Sequence, residues 1–150
     1  LRLSNSFGAP VDLTANCWML FANDLCKQAI VKNKMTINSD GQQLRDFITI
    51  EDVCRATKYF IDYEVEKNII PVYNLGGKSV LTLYEFAKII QFQFKFSFSL
   101  EIEIESKIQN KKKLYLDYRI KKLEKTGFKL ESNIKKEINE LILFCIKNFK

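Results

Sequence analysis

The sequence contains no histidine, only two prolines and five glycines among its 150 residues. Without imidazole there is no Ser–His or Cys–His pair, so any chemistry has to come from Tyr, Lys, Cys, Asp or Glu. The glycines stand at 8, 41, 76, 77 and 127. That spacing excludes a G-x-x-G-x-x-G turn, the device that lets a dinucleotide pyrophosphate approach a helix N-terminus. Four cysteines, at 17, 26, 54 and 145, form no C-x-x-C pair. With no histidine beside them they argue against a metal site and for buried free thiols in a reducing cytoplasm. No run reaches ~18 uninterrupted apolar residues, the length that suggests a membrane span. The opening LRLSNSFGAP also lacks the basic-then-apolar layout of a signal peptide. The chain therefore reads as soluble, with no membrane partner.

What is present is the composition of a globular domain, with 47% hydrophobic residues, enough for one core. The net charge of +6 and pI near 9.1 favour anionic partners. Much of that charge lies in Lys111, Lys112, Lys113, Arg119, Lys121, Lys122 and Lys125. Such a run suits a solvated face or a binding patch. A basic nucleic-acid-binding domain is one reading of this charge. Against it, the phenylalanines at 92–98 alternate as a core stripe would and do not interleave with lysine as a base-stacking platform would.

Along the chain, residues 1–4 read as the tail of a strand broken by a Gly8–Ala9–Pro10 turn. A helix is expected over about 15–33, with Trp18, Phe21, Leu25 and Ala29 on one face. A short strand at 35–37, a turn at Ser39–Gly41 and a strand at 45–50 follow, leading into a helix from Asp52 that faces Val53, Ala56 and Phe60 inward. Residues 70–74 read as a strand ending at Gly76–Gly77, and Thr82 with Glu85 forms a capping box for the next helix. From Phe92 to Ile104 the apolar residues alternate; part of this continues the helix, and 98–104 is expected as an amphipathic strand whose outer face carries Glu101, Glu103 and Glu105. A last helix runs over about 133–149, capped by Ser132 or Asn133. Alternating strands and helices imply an α/β or α+β layering. The first element is half a strand without an earlier partner, which suggests that the main part of its sheet lies upstream.

Three segments, RLSNSFGAP at 2–10, GQQLRDFITIEDVCRA at 41–56 and VYNLGGKSVLTLYEFAKII at 72–90, fall in an order that resembles the C-terminal half of the extended short-chain dehydrogenase/reductases, the nucleotide-sugar epimerases and dehydratases. The tail LYLDYRIKKLEKTGFKLESNIKKEINELILF is similar to that family's closing segment, with Asp117, Gly127, Phe128 and Ile134 in matching places and Glu131 near where a proline is usual. The resemblance implies an α/β fold, the C-terminal part of a Rossmann-type dehydrogenase with its small mixed α/β substrate-binding lobe. Residues 1–150 would form that part, and the dinucleotide-binding part would lie before Leu1.

The same resemblance implies site residues. The cation ahead of the Asp–Phe pair, here Arg45, would lie beside the diphosphate of a sugar nucleotide, where a planar guanidinium can donate two parallel hydrogen bonds. Asn5 and Asn74 would reach substrate oxygens, while Leu3 and Ser4 would lie by backbone near the nicotinamide of NAD or NADP. The family's diphosphate-clamping loop is absent; ESKIQNKKKLYLD stands in its place, where Lys111–Lys113 could act as point charges. The expected partner is a nucleotide-diphosphate sugar, in a cytoplasmic enzyme of polysaccharide precursor synthesis that could be a homodimer.

No catalytic residue is expected in this chain. Tyr-x-x-x-Lys spacing, which would activate a tyrosine as base, occurs at Tyr63–Lys67, Tyr84–Lys88 and Tyr118–Lys122. All three follow the first motif, whereas the family's pair precedes it. A non-catalytic nucleotide-sugar-binding remnant is the alternative reading.

Overall fold

The computed structural model describes residues 1–63, 71–107 and 115–150. Its first strand is divided at Ser4. Arg2–Leu3 (β1) pairs in parallel with Asn74–Leu75 (β5), whereas Asn5–Phe7 (β2) pairs in parallel with Leu44–Thr49 (β4). Val80–Thr82 (β6) runs antiparallel to β4, and Lys34–Ile37 (β3) pairs in parallel with Glu103–Ser106 (β7). The helices are Phe21–Lys32 (α1), Ile50–Ile61 (α2), Leu83–Phe98 (α3), Lys121–Glu124 (α4) and Ile134–Phe149 (α5). This is the mixed α/β architecture expected from the sequence.

Strand β4 divides two cores. Because successive strand side chains point to opposite faces, Phe47 enters a core with Phe7, Leu25, Phe86, Ile90 and Leu141, while Ile48 enters a second core with Leu75, Ile120, Leu123 and Phe128. In the first core the Phe47 and Phe86 rings stack at 3.9 Å, and Phe7 meets Phe86 edge-on at 5.1 Å.

Several boundaries differ from the sequence expectation. Helix α1 begins at Phe21, not near 15, because the preceding residues close turns on Asp12, Ala15 and Cys17; Trp18 still packs on Phe144 and Phe149. Helix α2 begins two residues before Asp52, since Thr49 is the cap and its hydroxyl accepts the Asp52 N–H. The strand expected over 70–74 starts only at Asn74, where the ladder to β1 begins; Ile70 lies outside the described residues. The capping box is present: Thr82 Oγ1 accepts the Glu85 N–H at 3.0 Å and Glu85 Oε2 accepts the Thr82 N–H at 2.8 Å.

The largest difference falls at 92–104. The capped helix continues to Phe98 and stops at Ser99, whose φ of 54° is left-handed, so the strand forms later, at β7. On a helix, every second residue is about 200° further round, so the phenylalanines do not share a side. Phe94 is fully buried, while Phe92 and Phe96 are exposed and stack on each other at 5.5 Å. Asn133 caps α5 by accepting from the N–H groups of Lys135 and Lys136. Of the thiols, Cys26 and Cys145 are buried and Cys17 is half-buried, but Cys54 is exposed, contrary to the expectation of four buried thiols. No helix among the described residues is long and apolar enough to cross a membrane.

Candidate functional site

The Arg45–Asp46 pair at the start of β4 has two separate fates. Asp46 points inward and is 1% exposed. Its Oδ1 accepts the Gly77 N–H at 2.8 Å and its Oδ2 accepts the Ser79 N–H at 3.1 Å, so the carboxylate fastens the loop after β5 onto β4. That loop lies so close that a Cβ on Gly77 would collide with the Phe47 carbonyl, and one on Gly76 with Asp46 and the Tyr118 ring. Arg45 points outward, is exposed, and donates to the Leu44 carbonyl at 2.9 Å. It makes no ion pair among the described residues, so Asp46 does not hold it.

Asn5 is brought to the same place. On β2 it stands opposite Phe47, and its amide donates to the Asp46 carbonyl at 3.1 Å. One amide hydrogen is thus engaged one residue from Arg45, and the other is not committed to that bond. Asn74 lies on β5 opposite Arg2 and donates to the Arg119 carbonyl at 3.3 Å, so it belongs to the neighbouring strand pair. Leu3 is 47% exposed on β1. Ser4 sits where the chain passes from one pairing to the other, with its N–H on the Leu75 carbonyl at 2.9 Å; its buried hydroxyl oxygen has no hydrogen-bond partner among the described residues.

Tyr118 completes the frame. Its hydroxyl donates to the Arg2 carbonyl at 2.9 Å, and its pKa is raised, first by burial and then by the Asp46 charge, against a smaller opposing effect of Arg2. Lys122, four residues on, donates instead to the Val72 carbonyl and lies over the Tyr73 ring, so it does not serve the Tyr118 hydroxyl. Lys88 lies over the Tyr84 ring and bonds Gln91 on the far helix α3. Lys67, and the Lys111–Lys113 run, lie outside the described residues.

Two acidic residues that sequence reasoning did not single out also shape this region. Asp52 accepts from the N–H groups of Glu131 and Ser132, and from Arg55 at 2.6 Å, and so ties the C-terminal segment to α2. Glu137, 4% exposed, lies against Gly8 and Ile50 and accepts the Glu51 N–H. Its pKa is pushed up to about 7, chiefly by burial and then by Glu140 and Glu51. A buried acid in the first turn of a helix that also carries Glu140 could have been noticed from the α5 periodicity; the contact with Gly8 could not.

Among the described residues no group of three His, Cys, Asp or Glu could hold a metal ion. Two clefts of about 720 Å³, one beside α3 and one beside the end of α2, are lined by other residues than Arg45, Asn5 and Asn74. Around Arg45 the structure shows an exposed guanidinium at the start of β4 and, on β2, the Asn5 amide bonded to the Asp46 carbonyl.

Solved structures share this fold. RMD from Pseudomonas aeruginosa complexed with NADPH superposes with a TM-score of 0.74 at 17% identity, over 97% of this chain and 47% of that one. UDP-N-acetylglucosamine 4-epimerase from Methanobrevibacter ruminantium gives 0.68 at 21% identity, over 97% and 45%. UDP-glucuronic acid 4-epimerase from Bacillus cereus, in complex with UDP-glucuronic acid and NAD, gives 0.67 at 21%, over 97% and 44%. The chain therefore spans less than half the length of each of these structures. No curated protein matches the sequence. The family model for the NAD dependent epimerase/dehydratase family matches residues 1–76, half of the chain, across β1 to β5. The chain is a member of the NAD dependent epimerase/dehydratase family.

Proposed function

We propose that this chain is the substrate-side part of an NAD(P)-dependent nucleotide-sugar epimerase or dehydratase, in which Arg45 holds the diphosphate and Asn5 steadies an adjacent oxygen. The observation that carries this reading is the separation of the Arg45–Asp46 pair. Asp46 is committed to Gly77 and Ser79, which leaves Arg45 exposed and without an ion pair among the described residues, one residue from the carbonyl that the Asn5 amide bonds. The structures matched include complexes with UDP-N-acetylmuramic acid and with UDP-glucuronic acid, which supports a nucleotide-diphosphate sugar as the substrate class. Asn74 would contribute from the neighbouring strand pair.

A nicotinamide dinucleotide would supply the hydride acceptor. Exposed Leu3 and the partnerless Ser4 hydroxyl fit the edge of its nicotinamide end. The five glycines offer no cradle for its pyrophosphate, so the rest of the dinucleotide, and the catalytic base, would belong to a preceding part of the protein. This chain's own residues would bind and orient the substrate and transfer no proton.

Arg45→Ala, in the protein joined to its dinucleotide-binding part, is expected to raise the substrate KM by roughly 10- to 100-fold, through loss of ~1.5–3 kcal/mol of charge-assisted hydrogen bonding. The turnover number should change less, because a diphosphate contact acts alike in ground and transition states. Steady-state kinetics decide it: an unchanged KM removes Arg45 from the site.

A further inference from the structure

Glu137, in the first turn of α5, is a buried titratable group that the Arg45 site does not use. Its side chain fills the space where β2 ends. A Cβ on Gly8 would collide with Glu137 Oε1 and with the Ile50 side chain of α2, so glycine is what lets the carboxyl lie there. Gly8 is also held by Asn23 of α1, which is 1% exposed: the Asn23 amide donates to the Gly8 carbonyl at 2.9 Å, and its oxygen accepts the Gly8 N–H at 3.4 Å. The charges that bear on Glu137 are Glu51, from α2, and Glu140 and Lys136, from its own helix. Lys136 is shared between the two acids, at 3.9 Å from Glu51 and 3.7 Å from Glu140. Gly8 and Asn23 bring no charge. An ionised carboxylate in this place therefore has one backbone donor, the Glu51 N–H, two neighbouring acids and a cation already divided between them.

Glu137 is anchored on both sides along its own chain. Ser132 is tied to Asp52 through its N–H and its hydroxyl, and Ile138 is fully buried. The turn that leaves Gly8 has less to hold it, since Ala9 and Pro10 are half-buried, Val11 and Asp12 are exposed, and the Gly8 N–H bond to Asn23 is long. We propose that Glu137 is a pH-dependent latch on the turn after β2: protonated, it packs against Gly8 and keeps the turn closed on Asn23, and ionised, with its proton passed to water, it draws water in and the Gly8–Pro10 turn opens. Burial pushes the closed-state pKa up to about 7, whereas in the opened state the hydrated carboxyl returns toward its ordinary 4.5. Closure is therefore strongest below about pH 4.5 and weakens up to about pH 7, with the closed-to-open ratio falling by on the order of 100-fold.

The test is a pH series from about 5 to 8.5 of nitrogen-15 NMR spectra and amide hydrogen-exchange rates on the 150-residue chain. The Gly8 N–H and the Asn23 side-chain amide are expected to titrate together with a midpoint near 7. Gly8 protection should fall across the series by at least ~10-fold more than that of Ile90, which is fully buried on α3. Glu137→Gln keeps the size and an acceptor without the charge, and should hold Gly8 protection level. Glu140→Gln changes an exposed side chain, removes one opposing acid and should lower the midpoint. No titration at Gly8 in this range, protection at Gly8 and Ile90 falling in step, or a titration that persists in Glu137→Gln would each overturn the latch. The latch does not rest on the Arg45 reading, and its failure would leave that reading untouched.

Discussion

Asp46 and Glu137 are two buried carboxyls with opposite chemistry. Asp46 accepts two backbone N–H bonds, from Gly77 and Ser79, so removing it strands two amides in a closely packed loop. Asp46→Ala should cost ~3 kcal/mol, and Asp46→Asn, which keeps one acceptor, about half of that, as read by urea denaturation. Glu137 has one backbone donor, from Glu51, and is opposed by the charges of Glu51 and Glu140, with Lys136 helping only weakly. Its folded pKa of about 7 lies above its ordinary 4.5, so the native state binds the extra proton between those values. Stability should therefore fall as pH rises from about 4.5 to 7 and level off above, by on the order of 1–3 kcal/mol. Denaturation curves at pH 5 and 8 check the slope, which Glu137→Gln should flatten. The sequence singled out the adjacent Arg45 and Asp46, with Arg45 implied as a diphosphate ligand by the family resemblance, but it did not show which of the two would be buried. That outcome depends on the loop at Gly77, 31 residues further along, closing onto β4.

The elements that were read correctly are those with a local cause. The Thr82–Glu85 box and the Asn133 cap are written within four residues of the helix they start, and both are present. The helix does continue into the alternating run, as expected, but the strand expected over 98–104 forms only at Glu103–Ser106, because the strongly capped helix keeps its hydrogen bonds until the left-handed Ser99 ends it. Strand β6 and helix α4 carried no pattern of their own; β6 forms because β4 offers it a ladder at Leu44–Asp46. The helix over 92–98 makes a direct prediction. Phe94→Ala should cost ~3–5 kcal/mol and Phe96→Ala less than ~1 kcal/mol, since one ring is fully buried and the other exposed. Equal losses at both positions in thermal or urea unfolding would favour the alternating strand.

For the whole molecule, β4 is the organising strand: its faces supply two cores, its first residues carry Arg45 and Asp46, and β2 brings Asn5 alongside it. The order of motifs pointed to the family and its α/β fold, but not to the pairing of β2 and β6 on β4, which depends on contacts distant in sequence. The chain spans less than half of the structures that share its fold. Under the proposed function, the substrate pocket at Arg45 would close against a dinucleotide-binding part. The central proposal is that Arg45 holds the diphosphate of the substrate. Competition of nucleoside diphosphate and nucleoside monophosphate against the nucleotide sugar, measured for the joined protein with Arg45 and with Arg45→Ala, tests it most directly. The account predicts that the diphosphate competes at least ~10-fold better and that Arg45→Ala abolishes this preference; a preference that survives the substitution would contradict it.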